Sequence, residues 1–467
     1  MLRVYNTYSK KIEKFMPWEP PVVKMYNCGP TVYDHPHIGN FRSFLFADIL
    51  RRFLEFKGYI VKQVMNITDV GHLLYDQDFG EDRIQLKAEQ EKKSPYEIAK
   101  IYTEEFFTLL DRLNIKRAIC YPKATEHIDD MIRHIEKLIE KGYAYVKNGA
   151  VYFDVTKFSK YGALSGNTVE KLIAGKRVEI HPDKKNPADF ALWKYDPKHI
   201  MQWDSPWGKG FPGWHIECSV MASKYLGDSI DIHTGGEDNI FPHHECEIAQ
   251  AEAVTGKQFV KYWLHVKHLL VDGQKMSKSL GNFYTVQEVL DKGVDEKALR
   301  FFLISVHYRQ QLNFTWDAFK ASKEGLSRIN YLLLNLDDYD VQAKPKNIEK
   351  LITKTQEKFI NHLDDDINMS GAIGVLFDFI KDVNKKLPLP IDEALKVKEF
   401  IYKIDTILGC IEKPKFDVPH EILELAKQRF QARQEKKFDI ADRLREKINN
   451  MGFVIEDTKG GFRILKK

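Results

Sequence analysis

Apolar side chains crowd Val22-Val23-Lys24-Met25-Tyr26 into a strand-like run, and the pattern then changes period. Phe46, Ile49, Leu50, Phe53 and Leu54 recur in the rhythm of one helix face. Gly58 is suited to end that helix, and Tyr59 to Met65 reads as a second strand. Two strands joined through a helix need a crossover, so residues 22–65 predict a β-α-β unit with parallel pairing. That is half of a Rossmann-type nucleotide fold, in which ligands sit beyond the carboxyl ends of the strands. The stretch from Cys28 to Asn40 is thereby expected at the binding edge.

Residues 94–142 keep apolar and charged positions at helical spacing, whereas 143–153 and the Pro- and Trp-rich run from Pro187 to Trp214 look irregular. Together they read as an insertion, about 94–210, between two Rossmann halves. The second half resumes with a strand at Ser229–His233, a helix from about Pro242 and another strand within Trp263 to Val271. The expectation is an α/β catalytic domain with a doubly wound parallel sheet over 1–305. From 318 to 410 the pattern is helical, with Leu332, Leu333, Leu334 and Leu336 in one apolar cluster and no strand candidate. Residues 306–412 are therefore expected to form a helical bundle. Pro414 and Pro419 mark a linker, followed within 413–467 by two helices up to Asn450 and a short hairpin turning on Gly460-Gly461.

Composition narrows the class. Hydrophobic residues at 43% and charged residues at 30% suit a globular protein, and no apolar run approaches the roughly 20 residues that span a bilayer. Met1 to Asn6 carries neither the apolar core nor the cleavage site of a secretory signal, so a cytoplasmic protein with no membrane role is expected. Five scattered cysteines, Cys28, Cys120, Cys218, Cys246 and Cys410, read as reduced thiols. The net charge is only +4, but His420 to Lys467 holds 12 basic and 8 acidic side chains, a surplus equal to that of the whole chain. A basic helical tail is suited to phosphate backbones, and equally to a solvated helix face.

Two short segments carry candidate chemistry. His37-Ile38-Gly39-Asn40 opens the first crossover helix, where unpaired amides and the helix dipole favour phosphate and Gly39 permits close approach. Lys275-Met276-Ser277-Lys278-Ser279, between Gly273 and Gly281, is a loop with two ammonium groups and two hydroxyls, suited to closing over a triphosphate. Either alone is weak. As a pair they fall where the two halves of a Rossmann sheet meet.

The two segments resemble the signature motifs of class I aminoacyl-tRNA synthetases, with Asn40 where that family's first motif ends in His. The resemblance implies that His37 and Asn40, with Thr31, hold ATP phosphates, and that Lys275 and Lys278 stabilise the α-phosphate during adenylate formation. Magnesium would accompany ATP. Cys28-Gly29-Pro30-Thr31-Val32-Tyr33-Asp34, Gly213-Trp214-His215-Ile216-Glu217-Cys218 and Phe241-Pro242-His243-His244-Glu245-Cys246-Glu247 further resemble the cysteinyl branch. There a zinc ion (Zn2+) in the amino-acid pocket is bound by two Cys, one His and one Glu, which fall here on Cys28, Cys218, His243 and Glu247. His243 and Glu247 are four apart on a predicted helix and face the same way. Cys246 and His244 remain competing ligands.

Zinc suits the selectivity problem. Serine differs from cysteine by one atom, and a shape-based pocket gains only about 1 to 3 kcal/mol from so small a change. A ten-thousand-fold preference needs roughly 5 kcal/mol, which thiolate coordination can supply. The resemblance also implies an amino-acid and adenosine pocket lined by Cys28, Thr68, Trp214, His233 and Asp238, with Asp231 and Glu237 as alternatives to Asp238. Gly71 to Phe79 reads as an inserted loop at its rim. Phe438 to Arg445 and Ile455 to Thr458 resemble the family's anticodon-reading end, with Phe462 and Arg463 as candidate base contacts. The implied partners are L-cysteine, ATP and tRNA(Cys), and a monomer is expected. A cysteine ligase acting on a small amine and a non-catalytic RNA-binding relative are the rival readings. The C-terminal modules argue against the first, and the retained lysines and candidate ligands against the second.

Overall fold

The computed structural model describes all of the 467 residues except 72, 74–81, 175–181, 278–279, 342, 413–417, 459 and 467. Lys278, Pro414 and most of the loop from Gly71 to Phe79 therefore lie outside the described residues.

Four parallel strands form the central sheet, in the order Val260–Val266, Ile230–Gly236, Val22–Asn27, Ile60–Met65. From its middle the chain winds outward both ways, so a crevice opens at the carboxyl ends of Val22–Asn27 and Ile230–Gly236. The inner strand Ile230–Gly236 is buried at all but its last position, whereas Ile60–Met65 at the edge alternates exposed and buried positions before its buried end. The predicted crossover helix is Ile38–Phe56, and Phe41, Leu45, Ile49, Phe53 and Leu54 are buried on it. It closes at Lys57, before Gly58 at φ +89°.

Three expectations need correction. The region 143–153 is not irregular: Ala144–Lys147 and Ala150–Phe153 form a hairpin turning on Asn148 and Gly149, both at positive φ. Phe190–Lys194 and Phe211–Pro212 extend it to a four-stranded antiparallel sheet. Ala150–Phe153 is buried at every position, so the strand shows no alternation, although Asn-Gly is a strong hairpin signal. Secondly, the stretch expected to hold one strand between Trp263 and Val271 holds the end of one and the whole of another. Val260–Val266 completes the central sheet, and Leu269–Val271 pairs with Leu312–Phe314 and Gln274–Lys275 in another. Finally, a three-residue strand, Asp338–Asp340, lies within the largely helical stretch expected to hold no strand.

The chain divides into two compact units, one of residues 1–296, 306–315 and 364–367, the other of 297–305, 316–363 and 368–467. In the second, helices Trp316–Asn335, Met369–Asn384 and Ile391–Leu408 precede His420–Gln434 and Phe438–Asn450. A hairpin, Phe453–Asp457 with Gly461–Lys466, closes the chain, and Asp338–Asp340 pairs with its second strand. This end has its own core of Ile422, Phe430, Ile448, Phe453, Ile455, Phe462 and Ile464. Phe462 is 0% exposed and Arg463 is ion-paired with Asp338. The expectation that Phe462 reaches an RNA base is therefore corrected: its ring belongs to the core of this end.

Candidate functional site

A cavity of about 690 Å³ opens where the central strands end. Its wall includes Cys28, Thr31, His37, Gly39 and Asn40 from the first half, and Trp214, Asp238, His268, Lys275 and Met276 from the second. The two signature segments therefore share one space. Thr68 and His233, expected in the pocket, lie behind its wall, at 2% and 0% exposure.

His37 caps the first crossover helix. The Asn40 amide donates to His37 Nδ1 at 3.2 Å, and the His37 amide donates to Asn40 Oδ1 at 3.3 Å. With Nδ1 accepting, the ring proton of neutral His37 sits on Nε2. Asn40 keeps its Nδ2 group as donor, so both side chains can serve an anion. The chain that follows the second signature segment is laced to the start of the first: Ile38 N–H donates to Tyr284 O and Val286 N–H to Pro36 O. Asn282 clasps the loop, accepting from Ser277 N–H and donating to Lys275 O. Lys275 Nζ lies 3.4 Å from Asp238 Oδ1, which His268 Nε2 approaches to 3.1 Å. The hydrogen bond from His268, first, and the nearby Lys275 ammonium hold the Asp238 carboxyl below its usual range. Asp231 faces elsewhere, accepting from the amides of Trp18 and Lys24. Glu237 is occupied by Lys267 and the His268 amide.

Beneath the cavity, thiols, imidazoles and a carboxylate converge. Cys28, Cys218, His243 and Glu247 bring their ligand atoms within 4.8 Å of one another, and so do Cys28, His233, His244 and Glu247. His243 Nε2 lies 3.0 Å from Glu247 Oε1, and His233 Nε2 lies 2.8 Å from Oε2. Cys246 belongs to neither group; its sulfur lies 3.6 Å from the Tyr161 hydroxyl within the apolar core. Burial disfavours charge here, but neighbours override it. Glu247 falls to about 2 because His233 and His243 outweigh its burial, and His243 is held at about 10 by Cys218 and Glu247. The Cys218 thiol is lowered despite burial, through Cys28 and His243. Two sulfurs, an imidazole and a carboxylate are a donor set that zinc accepts. His215 Nδ1, 2.9 Å from His243 Nδ1, engages the outer nitrogen, as partners of metal-bound histidines do.

Sequence reasoning missed several supporting residues. Arg42, buried on the crossover helix, donates to the carbonyls of Lys267, His268, His307 and Gln310 and so fixes a cavity wall. Burial lowers its guanidinium to about 10. His215 and Glu217 sit on the unanticipated helix Trp214–Leu226, buried nearly all round and so without an amphipathic stripe. The available signal was polar residues inside an otherwise apolar helix.

Comparison with known proteins agrees along the chain. Residues 14–324 match the class I (C) tRNA synthetase catalytic domain, 358–412 the DALR domain and 416–463 the cysteinyl-tRNA ligase anticodon-binding domain. The cysteine–tRNA ligase of Caldicellulosiruptor saccharolyticus is 44% identical, with 99% of each chain covered. That of Clostridioides difficile is 43% identical at the same coverage. Among solved structures, Mycobacterium tuberculosis methionyl-tRNA synthetase in complex with methionyl-adenylate aligns over 83% of this chain and 89% of that one. Its TM-score is 0.59 at 14% identity, a likeness of fold.

Proposed function

The chain belongs to the class I cysteine–tRNA ligases, and from that premise we propose that it activates L-cysteine with ATP and esterifies tRNA(Cys), with zinc selecting the thiolate. The observation that carries the reading is the placement of Cys28. Its residue lines the same cavity as His37, Asn40 and Lys275, and its sulfur belongs to the cluster beneath.

ATP, with its magnesium, lies across the amino end of the crossover helix, where His37 Nε2–H and Asn40 Nδ2–H donate to phosphate oxygens and Thr31 lines the approach. The cysteine carboxylate attacks the α-phosphorus, an O–P bond forms, and the bond to pyrophosphate breaks. Lys275 and Lys278 neutralise the charge that gathers there. A ribose hydroxyl of the terminal adenosine then attacks the acyl carbon and AMP departs. No covalent enzyme intermediate is needed, since positioning and charge suffice. Trp214, whose ring lies 4.5 Å from that of His243, joins the cavity to the cluster. Asp238 anchors Lys275 and His268 at the adenosine side.

Cys28, Cys218, His243 and Glu247 would hold the zinc, which supplies a soft Lewis acid for the substrate sulfur and little for a serine hydroxyl. His233 orients Glu247 from behind. In this reading residues 1–305 perform the chemistry, the bundle 306–412 contacts the tRNA body, and 413–467 reads the anticodon. With Phe462 buried, Phe438 at 57% exposure is, among the described residues of this module, an aromatic available to a base. Among the described residues no helix is long and apolar enough to cross a membrane. In this reading the enzyme works in the cytoplasm, as a monomer.

Exchange of labelled pyrophosphate into ATP tests the first half-reaction. Exchange that depends on cysteine, is at background with serine and is lost on zinc chelation supports the proposal. Equal exchange with both amino acids would refute zinc selection.

A further inference from the structure

Four consecutive residues, Asp364, Asp365, Asp366 and Ile367, belong to the first compact unit, although the chain on both sides of them belongs to the second. Their backbone is unusual: Asp366 and Ile367 stand at φ +58° and +52°. Aspartate tolerates that left-handed region, but a β-branched residue is an outlier there. Such a conformation persists only where its surroundings hold it, and it gathers at functional segments. Here the hold is visible. Asp366 N–H donates to Arg3 O at 2.9 Å, and the buried Asp366 carboxylate takes donors on both oxygens. Oδ1 accepts from Tyr5 N–H and from the Tyr308 hydroxyl, each at 2.7 Å, and Oδ2 accepts from Arg309 Nε at 2.6 Å.

What Asp366 grips is the loop that satisfies Arg42. The Tyr308 ring stacks on Phe46, with centroids 4.2 Å apart and planes at 22°. On either side of Tyr308 and Arg309, the carbonyls of His307 and Gln310 accept from Arg42 Nη2. Arg42 Nη1 donates to the carbonyls of Lys267 and His268, and Lys267 N–H donates to Tyr308 O at 2.8 Å. Arg42 and Phe46 stand on the crossover helix Ile38–Phe56, Arg42 two residues beyond Asn40, while Lys267 and His268 line the cavity. A buried guanidinium left short of acceptors is costly, so the helix must follow the loop. Asp366 itself is not part of the cavity wall.

We propose that Asp366 is a positioning residue for ATP: through Tyr308, Phe46 and Arg42 it fixes the crossover helix, and so the place of His37 and Asn40 against the phosphates. The inference rests on the reading of His37 and Asn40 as phosphate ligands and names what holds them in place. The brace comes from a segment between the helices Ile348–Asp364 and Met369–Asn384. The candidate zinc ligands Cys218, His243 and Glu247 stand on other helices, Trp214–Leu226 and His243–Thr255, so the amino-acid end of the pocket lies outside the brace.

Asp366→Asn is nearly isosteric, yet it sets an amide N–H against a donor, because both carboxylate oxygens accept. KM values for ATP and for cysteine are measured by pyrophosphate exchange with the full-length, zinc-loaded enzyme, below the melting temperature of each variant. Asp366→Asn should raise KM for ATP about 10- to 100-fold, the range for a lost hydrogen bond to a charged group, and leave KM for cysteine within about twofold. Tyr308→Phe keeps the ring on Phe46 and removes the proton given to Asp366. It should raise KM for ATP with the same selectivity, and it carries the test alone if Asp366→Asn does not fold. Because the two residues act in series, the double variant should be no worse than Asp366→Asn, whereas independent effects would multiply. A merely structural role gives other results: fewer active molecules would lower kcat with both KM values unchanged, and a general loosening would raise both alike. Either result would overturn the proposal, as would a double variant whose effect is the product of the singles. Absence of cysteine-dependent exchange in the unsubstituted enzyme would defeat the underlying reading instead, so the two failures are distinct.

Discussion

Gly39 lies directly against Met276: a Cβ on Gly39 would stand 2.8 Å from Met276 Cε and 3.0 Å from His37 Nδ1. The absent side chain is what lets the two signature segments touch. Gly39 sits in the first turn of a helix, where alanine is intrinsically better by about 1 kcal/mol. Gly39→Ala is expected to leave the melting temperature unchanged or slightly raised. Exchange should nevertheless fall by about 100-fold, the effect of misplacing reacting groups by about 1 Å. Thermal melts and exchange rates on one preparation check both halves of this expectation.

The cluster offers two overlapping ligand sets, and the chosen one makes an asymmetric prediction. His243→Asn should abolish stoichiometric zinc, whereas His244→Asn should retain it, because His244 belongs only to the set with one sulfur. Metal content by elemental analysis decides the matter. Retention in the first variant and loss in the second would move the ion to the His233–His244 side.

Phe462 and Phe438 should separate stability from recognition. Phe462 belongs to the core of the C-terminal end, so Phe462→Ala should cost about 3 to 5 kcal/mol locally. Phe438→Ala should leave folding intact and raise KM for tRNA while exchange stays unchanged. Limited proteolysis and charging kinetics distinguish the two.

Acid should loosen the same region. Arg429 grips Asp457 with two hydrogen bonds, at 2.7 and 3.2 Å, and holds its carboxyl below the usual range. A lowered carboxylate pKa stabilises the fold fully above the unfolded value of about 3.9 and ceases to do so as pH falls through the folded value. Asp457→Asn should therefore lower the melting temperature at neutral pH, and the difference from the unsubstituted protein should shrink as the pH falls below about 4. Melting curves between neutral and acid pH follow this directly.

The central sheet was legible because Val22–Asn27 and Ile60–Met65 flank a helix with a clear apolar face, a pattern that a parallel crossover produces. The hairpin at Ala144–Phe153 was not, because uniform burial erased its alternation while the Asn148-Gly149 turn went unread. At the site, His37, Asn40 and Lys275 form contiguous motifs, and the structure draws them to one cavity. Cys28 and Cys218 come from different halves of the fold, so their meeting depends on tertiary structure and was suggested only by resemblance. Arg42 and Glu217 sit buried on their helices, where hydrophobic periodicity gives no sign of a polar residue. The residue type of Phe462 suits base stacking, but its strand face decides its place: Phe462 and Ile464 point inward together.

The most direct test of the account is charging of a tRNA(Cys) transcript with labelled cysteine and ATP beside a serine control. Ester formation with cysteine and background with serine is the predicted result. Cysteine-dependent exchange of pyrophosphate without any charging of the transcript would contradict it.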